Sequence, residues 1–301
     1  MKNYLHNSLR ALFLSLSVFL SSPMLALEVM IDGIKYDLNA ETKHAAVIRK
    51  HIIDYYSGDV VIPESVVYQG TTYSVTSIDE EAFMFCQRLT SVTIGNSVES
   101  IGEKAFYGCI LLTSVTIPNS VTSIGISAFR NCSGLTSVTI GSGVTSIGES
   151  AFNNCHSLTS VTIPNSVTNI GIDSFGLCAN LTSVTIGSGV TSIGKSAFST
   201  CLNLRDIYCY AERVPSADSD AFGFMGWSTL HVPVGSLDIY KATSPWSGFG
   251  NIVALTEEET GIDELKGENG ERKTVVFDLS GRRVQKGEKG VLIQNGKLVI
   301  K

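Results

Sequence analysis

The 301-residue chain carries 28 acidic and 22 basic residues, a formal charge of -6, and only 17% of its side chains are charged. Soluble proteins ordinarily have about a quarter charged residues, so most of this surface must be neutral. Basic residues gather no further than short pairs such as Arg282 and Arg283, so nucleic acid is not expected as a partner, because phosphate binding needs a concentrated positive footprint.

Residues 1–26 read as a secretory signal. Lys2 and Arg10 give a positive start, residues 11–20 are apolar apart from serines, and Ser21, Ser22 and Ala26 offer a small-residue exit. Cleavage is expected after Ala26. The apolar run is about half the length that a bilayer span needs, so no integral membrane span is expected once the signal is removed. No cysteine follows the run, so a lipid-modified cysteine is not available at that junction. The mature chain is expected at the cell surface or outside the cell, after passage through a periplasm.

Residues 27–74 read as an N-terminal β cap and a degenerate first coil. A hairpin is expected around Asp32-Gly33, and Val60, Val61, Ile62 and Pro63 open a coil with an insertion around Tyr68, Gln69 and Gly70.

Residues 75–204 form a strict array. Phe83, Phe106, Phe129, Phe152, Phe175 and Phe198 recur in steps of 23, as do Cys86, Cys109, Cys132, Cys155, Cys178 and Cys201. Leucine from Leu89 to Leu204 and isoleucine from Ile78 to Ile193 keep the same register. Within one unit, residues 112–117 alternate β-branched and hydroxyl side chains, which predicts a short strand with one face buried. Residues 121–124 predict a second, weaker strand. Pro118, or Gly141 in the next unit, turns the chain between them, and Glu149, Ser150, Ala151 and Phe152 read as one turn of helix. This period and composition fall in the leucine-rich-repeat range, in which coils stack as parallel strands. A single coil cannot offset the entropy of ordering its own backbone, so neighbours must cover both of its flat faces and the two ends need caps.

Residues 205–256 lose the strict register and gain Phe222, Phe224, Trp227, Tyr240, Trp246 and Phe249, bulky side chains suited to a C-terminal cap coil. Beyond them, 18 of the 45 residues 257–301 are charged against 7 of the 111 residues 90–200, which places a boundary there. Residues 257–273 are expected to be a solvated linker, and residues 274–301 a small β segment ending in a hairpin around Asn295-Gly296. The fold class is therefore a leucine-rich-repeat solenoid, mostly β with short helical turns. Its coils of about 23 residues form a parallel sheet capped at both ends, followed by a small C-terminal β domain.

The unit L-T-S-V-T-I-(P/G)-(N/S)-(S/G)-V-T-S-I-G, with Ala-Phe and Cys at fixed offsets, resembles the BspA-type leucine-rich repeat of bacterial surface proteins over residues 60–255. That resemblance implies adhesion to host matrix proteins or to other cells. Val276, Phe277, Asp278, Leu279, Ser280, Gly281 and Arg282, with Lys289-Gly290 and Asn295-Gly296-Lys297, are similar to the C-terminal sorting domain of type IX secretion cargo, although Leu292 and Ile293 stand where that family usually has an aromatic residue.

Gly189, Gly194, Lys195 and Ser196 match the P-loop pattern G-x-x-x-x-G-K-S letter for letter. The register denies them that role, since Glu149 and Ile126 occupy the position of Lys195 in other coils and Val190 and Ile193 fall on core positions. The six in-register cysteines read as a buried thiol ladder. Neighbouring coils would also permit disulfides, whereas identical side chains in a straight ladder do not converge on a metal. Cys209 is off-register and expected to be unpaired. His44, His51, His156 and His231 are scattered singly and read as solvated or capping residues. Asp79, Glu80 and Glu81 are expected to solvate the edge of the first repeat. Nothing points to an acid/base pair, so no enzyme, cofactor or metal is expected.

The wet face of the main strands carries Ser91/Thr93, Ser114/Thr116, Ser137/Thr139, Ser160/Thr162 and Ser183/Thr185, expected to pair across strands and stabilise the sheet. Differences between coils concentrate near Phe and Cys. Arg130, Asn131, Asn153, Asn154, His156 and Asn180 are therefore the candidate partner-binding residues, with a protein or glycan of a host or cell surface as partner. The rival reading is a passive envelope spacer with no specific ligand. The sequence sets no oligomeric state.

Overall fold

A computed structural model describes residues 27–50, 55–223, 225–256 and 259, and short strands at 265–266, 272–273, 276–278, 291–294 and 297–300. The expected signal segment, His51 and Phe224 lie outside the described residues. The chain winds as a β-solenoid of parallel coils. In each regular coil a four-residue strand and a two-residue strand stack on their counterparts 23 residues away: Ser114 faces Ser137 and Ile124 faces Ile147.

The two-residue strands form one continuous parallel ladder from Ser100–Ile101 to Ser216–Ala217. Thr71–Ile78 joins this ladder to the antiparallel N-terminal strands Leu27–Ile31, Ile34–Asn39 and His44–Val47. The longer strands form two groups. Ser57–Ile62, Arg88–Ile94, Ser114–Ile117 and Ser137–Ile140 make the first, and the five strands from Ser160–Ile163 to Asn251–Ala254 make the second. The stretch after Arg205 thus continues the same winding. Phe222, Tyr240, Trp246 and Phe249 are buried and close it, whereas Trp227 is 73% exposed and takes no part in sealing the core.

The core is a set of columns. Rings from Phe83 to Phe198, joined by Phe222, stack with centroids 4.8–5.6 Å apart and planes within 6° of parallel. Tyr56 closes one end of the column, 4.5 Å from Phe83, and its hydroxyl accepts the Lys35 N–H and donates to the Ile48 carbonyl. At the other end Trp246 and Phe249 lie against Phe222 at 4.9 and 5.2 Å. The Trp246 indole N–H donates to the Pro215 carbonyl at 2.9 Å, so this large cap is buried with its one polar atom satisfied.

Residues 149–152 are tight turns, not the turn of helix that their composition suggests. Ser150 and Asn154 have φ of 54° and 59°, and the equivalent residues of the other regular coils are also left-handed, as at Ser127 and Asn131. The reason lies between coils. Ser127, Phe129 and Asn131 donate their N–H groups to Glu149, Ala151 and Asn153 of the next coil, while the alternate residues Ala128, Arg130 and Cys132 bond three residues back. A helix would turn all these groups inward along its own axis and leave the neighbouring coil unpaired. Among the described residues the one α-helix is Leu237–Ala242, in the terminal cap.

All seven cysteines are buried free thiols. The in-register position suits cysteine because the S–H has a fixed acceptor: Cys132 donates to the Phe106 carbonyl at 3.1 Å, and the equivalent bond recurs at Cys109, Cys155, Cys178 and Cys201. The Phe106 carbonyl also accepts the Cys109 N–H, so it is shared by two coils. Cys209 occupies the register of Ile186 and meets the Tyr240 hydroxyl at 3.2 Å. Desolvation pushes the Cys86 thiol up to about 11 and the Cys201 thiol up to about 12. Because the thiolate is the reactive form, native protein at pH 8 should resist iodoacetamide and take up label only on unfolding. Mass spectrometry showing rapid labelling of folded protein would contradict this.

Ser174 stands where five other coils have Ala82, Ala105, Ala128, Ala151 and Ala197, and its buried hydroxyl has no hydrogen-bond partner. Ser174→Ala is therefore expected to stabilise the protein by about 1 kcal/mol, the lower end of the penalty for an unpaired buried polar group. The check is the urea midpoint at unchanged slope.

The alternation of Pro-Asn-Ser with Gly-Ser-Gly has a packing cause. The Asn119 amide oxygen accepts the Ser142 N–H at 2.8 Å, which brings the Asn119 carbonyl to 1.9 Å from where a Cβ on Gly143 would lie. Asn165 treats Ser188 and Gly189 in the same way. Ser120 and Ser166 instead donate to the Val98 and Val144 carbonyls. The structural repeat in this part of the array is a pair of coils.

Candidate functional site

Two parts of the surface differ from plain scaffold. The first is a shallow groove of 730 Å³ on the outward face of the main strands, lined among others by Thr93, Ser114, Thr116, Asn119 and Thr139. It opens where Arg88–Ile94 and Ser114–Ile117 pair only at Val92 and Val115, so the strands splay. Its lining is neutral. Asp59 stands at its first-coil side, held by Ser91 at 2.6 Å and Thr90 at 2.9 Å, and these hydroxyls keep its carboxyl below the usual range.

The expected pairing of hydroxyls across the main strands does not form. The side-chain hydroxyls of Thr93, Ser114, Thr116 and Thr139 have no hydrogen-bond partner among the described residues. Side chains on one face of a parallel ladder repeat at the strand spacing, which is too wide for one hydroxyl to reach the next. The structural hydroxyls lie elsewhere: Thr122, Thr145, Thr168 and Thr191 each donate to a carbonyl one coil back at 3.0–3.2 Å.

The second part is the variable edge. His156 and Asn180 are exposed, and the Asn180 N–H donates to the His156 carbonyl. Arg130, Asn131 and Asn154 are half-buried and Asn153 is buried. Asn131 and Asn154 occupy left-handed positions, which asparagine tolerates well, and their amides chain together: Asn154 donates to Asn131 at 3.1 Å, and Asn131 to the Tyr107 hydroxyl at 2.9 Å. The Asn153 amide reaches the Asp173 carbonyl at 3.3 Å. Three of the six candidates thus have a structural task, and the fully presented pair is His156 and Asn180.

The P-loop match forms no phosphate cradle. Val190 and Ile193 are buried, the Lys195 carbonyl accepts the Asp173 N–H, and the Ser196 N–H and hydroxyl both face the Asp220 carboxylate at 3.3 Å. An anion already occupies that position. Glu81 also does more than solvate an edge, since it pairs with Arg49 of the N-terminal cap at 2.7 Å.

His231, read from sequence as one of several isolated histidines, belongs to a cluster. It stacks on Tyr208 with centroids 4.3 Å apart, and Asp206 and Glu259 flank its ring. The available signal was register, because Asp206 faces Thr229 and Tyr208 faces His231 one coil apart.

The model of the BspA type leucine rich repeat region matches six copies, over residues 68–175 and 124–241. This chain belongs to the BspA-type leucine-rich-repeat family. It is similar to the solved leucine-rich repeat protein of T. pallidum, at 30% identity over 60% of this chain and 81% of that one, with a TM-score of 0.53. A leucine-rich repeat protein from Bacteroides ovatus shares the fold at 23% identity, with 75% and 67% covered and a TM-score of 0.51. No curated protein matches the chain. BspA-type proteins are typically surface or secreted proteins, often with binding or adhesion roles, and leucine-rich-repeat proteins are typically non-enzymatic. Among the described residues of this BspA-type chain, no helix is long and apolar enough to cross a membrane.

Proposed function

We propose that this chain is an exported binding protein that holds a protein or glycan of a host or cell surface across the groove and the adjoining coils. The observation that carries this reading is the set of uncommitted hydroxyls on Thr93, Ser114, Thr116 and Thr139, exposed on a neutral groove without internal partners. Such a surface gains affinity through several weak neutral contacts, and the absence of a basic patch leaves no footprint for an anionic polymer.

The test is retention of matrix proteins, whole cells and neutral polysaccharides by immobilised residues 27–301. Thr116→Arg and Thr139→Arg place long charged side chains outward into the groove, where the fold tolerates them. Each is expected to weaken binding roughly tenfold, equivalent to about 1.4 kcal/mol. The combined replacement of Arg130, Asn131, Asn153, Asn154, His156 and Asn180 by residues of neighbouring coils measures the share of the variable edge. Retention of nothing by the wild type would favour a passive spacer and overturn the reading.

Export follows from the segment ending at Ala26, and the strands Val276–Asp278, Val291–Gln294 and Lys297–Ile300, which pair antiparallel, are proposed as the sorting segment. Mass spectrometry of both ends of the secreted protein tests both points.

A further inference from the structure

The last coils carry a charged cluster on the same outward face, separate from the groove and from the binding role proposed for it. The His231 side chain is only 14% exposed, and its ring has a carboxylate on each side. Nε2 lies 3.4 Å from Asp206 Oδ1, and Nδ1 lies 3.2 Å from Glu259 Oε1. Glu259 in turn fixes the chain just after the final strand Asn251–Ala254. Its Oε2 accepts the Thr256 N–H at 2.6 Å, its own N–H donates to the Thr256 hydroxyl at 3.2 Å, and its carbonyl accepts the Tyr210 hydroxyl.

A neutral imidazole has one N–H and one lone pair. Between two carboxylates, whichever nitrogen lacks the proton turns its lone pair toward a negative oxygen. An imidazolium carries a proton on both nitrogens and attracts both carboxylates, the Nδ1 approach to Glu259 being an ion-pair contact without hydrogen-bond geometry. Among the described residues, the groups facing His231 supply no other cation: Asp206 and Tyr208 come from the preceding strand, Val253 from the following one, and Glu259 and Tyr210 from the chain exit. Arg205, next to Asp206, spends its guanidinium on the Leu202 and Leu204 carbonyls. Loss of the His231 proton therefore leaves two carboxylates uncompensated. Although desolvation opposes it, the Glu259 carboxyl is held below its ordinary range by the Thr256 amide and hydroxyl and by His231, so it stays charged while an imidazole titrates.

We propose that His231 is the pin of a pH-sensitive clamp that fastens the chain at Glu259 to the end of the solenoid when the imidazole is protonated and loosens it when the proton is lost. Histidine is the side chain that ordinarily changes charge between pH 5 and 8, so the clamp holds in an acidic setting and yields in a neutral to alkaline one. By reciprocity, whatever stabilises the closed clamp also favours the proton.

Hydrogen exchange of the full chain tests this, read on the peptide covering residues 251–259 at pH 5.5 and 8.0 and corrected for intrinsic rates. Protection of the Thr256 and Glu259 amides is expected to fall roughly two- to fivefold at the higher pH, the size of effect that a partly exposed ion pair provides. Glu259→Gln keeps an oxygen for the Thr256 amide but removes the charge, and His231→Gln removes the titrating group. In both variants the pH dependence should vanish. Equal wild-type protection at the two pH values, or an undiminished dependence in His231→Gln, overturns the proposal.

Discussion

Phe152→Ala should cost about 4 kcal/mol, within the range of about 3–5 kcal/mol for a fully buried phenylalanine. The Phe152 ring is completely buried and lies 5.2 Å from both Phe129 and Phe175. Its removal leaves a cavity that cannot collapse, because the distance between coils is fixed independently of the rings. The Phe129 N–H donates to the Ala151 carbonyl and the Phe152 N–H to the Ser174 carbonyl, both at 2.7 Å. The neighbouring rings cannot close the gap without breaking those ladders. Position within the array adds a second effect. In a solenoid each coil is supported only by its neighbours, so a gap in the middle uncouples the two halves. Urea unfolding of the variant should therefore broaden as well as shift to lower denaturant. Phe222→Ala is the control, since Trp246 and Phe249 pack against that ring at inclined angles and can lean into the space. A smaller loss and an unchanged slope are expected there. A midchain loss below about 2 kcal/mol would mean that the column is not what holds the coils together.

The period made the fold legible. Parallel stacking gives every coil the same register, so one residue type every 23 positions has to be one column, and Phe, Cys, Leu and Ile each proved to be buried columns. Less was legible inside the coil. Glu149, Ser150, Ala151 and Phe152 are each compatible with helix, and only the hydrogen bonds that Phe129 and Phe152 make to the following coils force the left-handed turns. Composition does not encode a bond to a residue more than twenty positions away. The same limit hid the surface. Asn131 and Asn154 vary between coils, which suggests recognition, yet each sits at a backbone position that favours asparagine for its own conformation. The hydroxyl row pointed the other way, because its regularity suggested scaffold while its side chains, apart from Ser91, which holds Asp59, proved to be uncommitted. His231 was hidden by the irregular end, where Glu259 lies beyond the array and no period relates it to Asp206 or His231.

Gly148→Ala tests the backbone side of the same packing, and its sign is opposite to the usual one. Replacing glycine by alanine at an unstrained position ordinarily stabilises a protein by about 0.4–1 kcal/mol, because the unfolded chain loses freedom. At Gly148 a Cβ would lie 2.7 Å from the Gly125 carbon and oxygen and from the Ile124 oxygen. These are main-chain atoms of the preceding coil and cannot rotate away. The Gly148 N–H is also bonded to the Ile124 carbonyl at 2.9 Å, so the corner cannot open without giving up that bond and the pairing of Ser146–Ile147 with Ser123–Ile124. Overpacking of this kind costs about 1–3 kcal/mol, and the entropic gain is too small to reverse it. A net loss of about 2 kcal/mol is expected for alanine, and valine, which adds two methyl groups at the same point, should prevent the array from folding as one unit. Gly235→Ala is the comparison, since nothing lies within 4 Å of its Cβ position, and it should be neutral or slightly stabilising. Equal midpoints for Gly148→Ala and Gly235→Ala in urea would show that the coils have slack at this corner. The close contact of main chain on main chain from Gly102 through Gly125, Gly148 and Gly171 would then not be what sets the spacing of the solenoid.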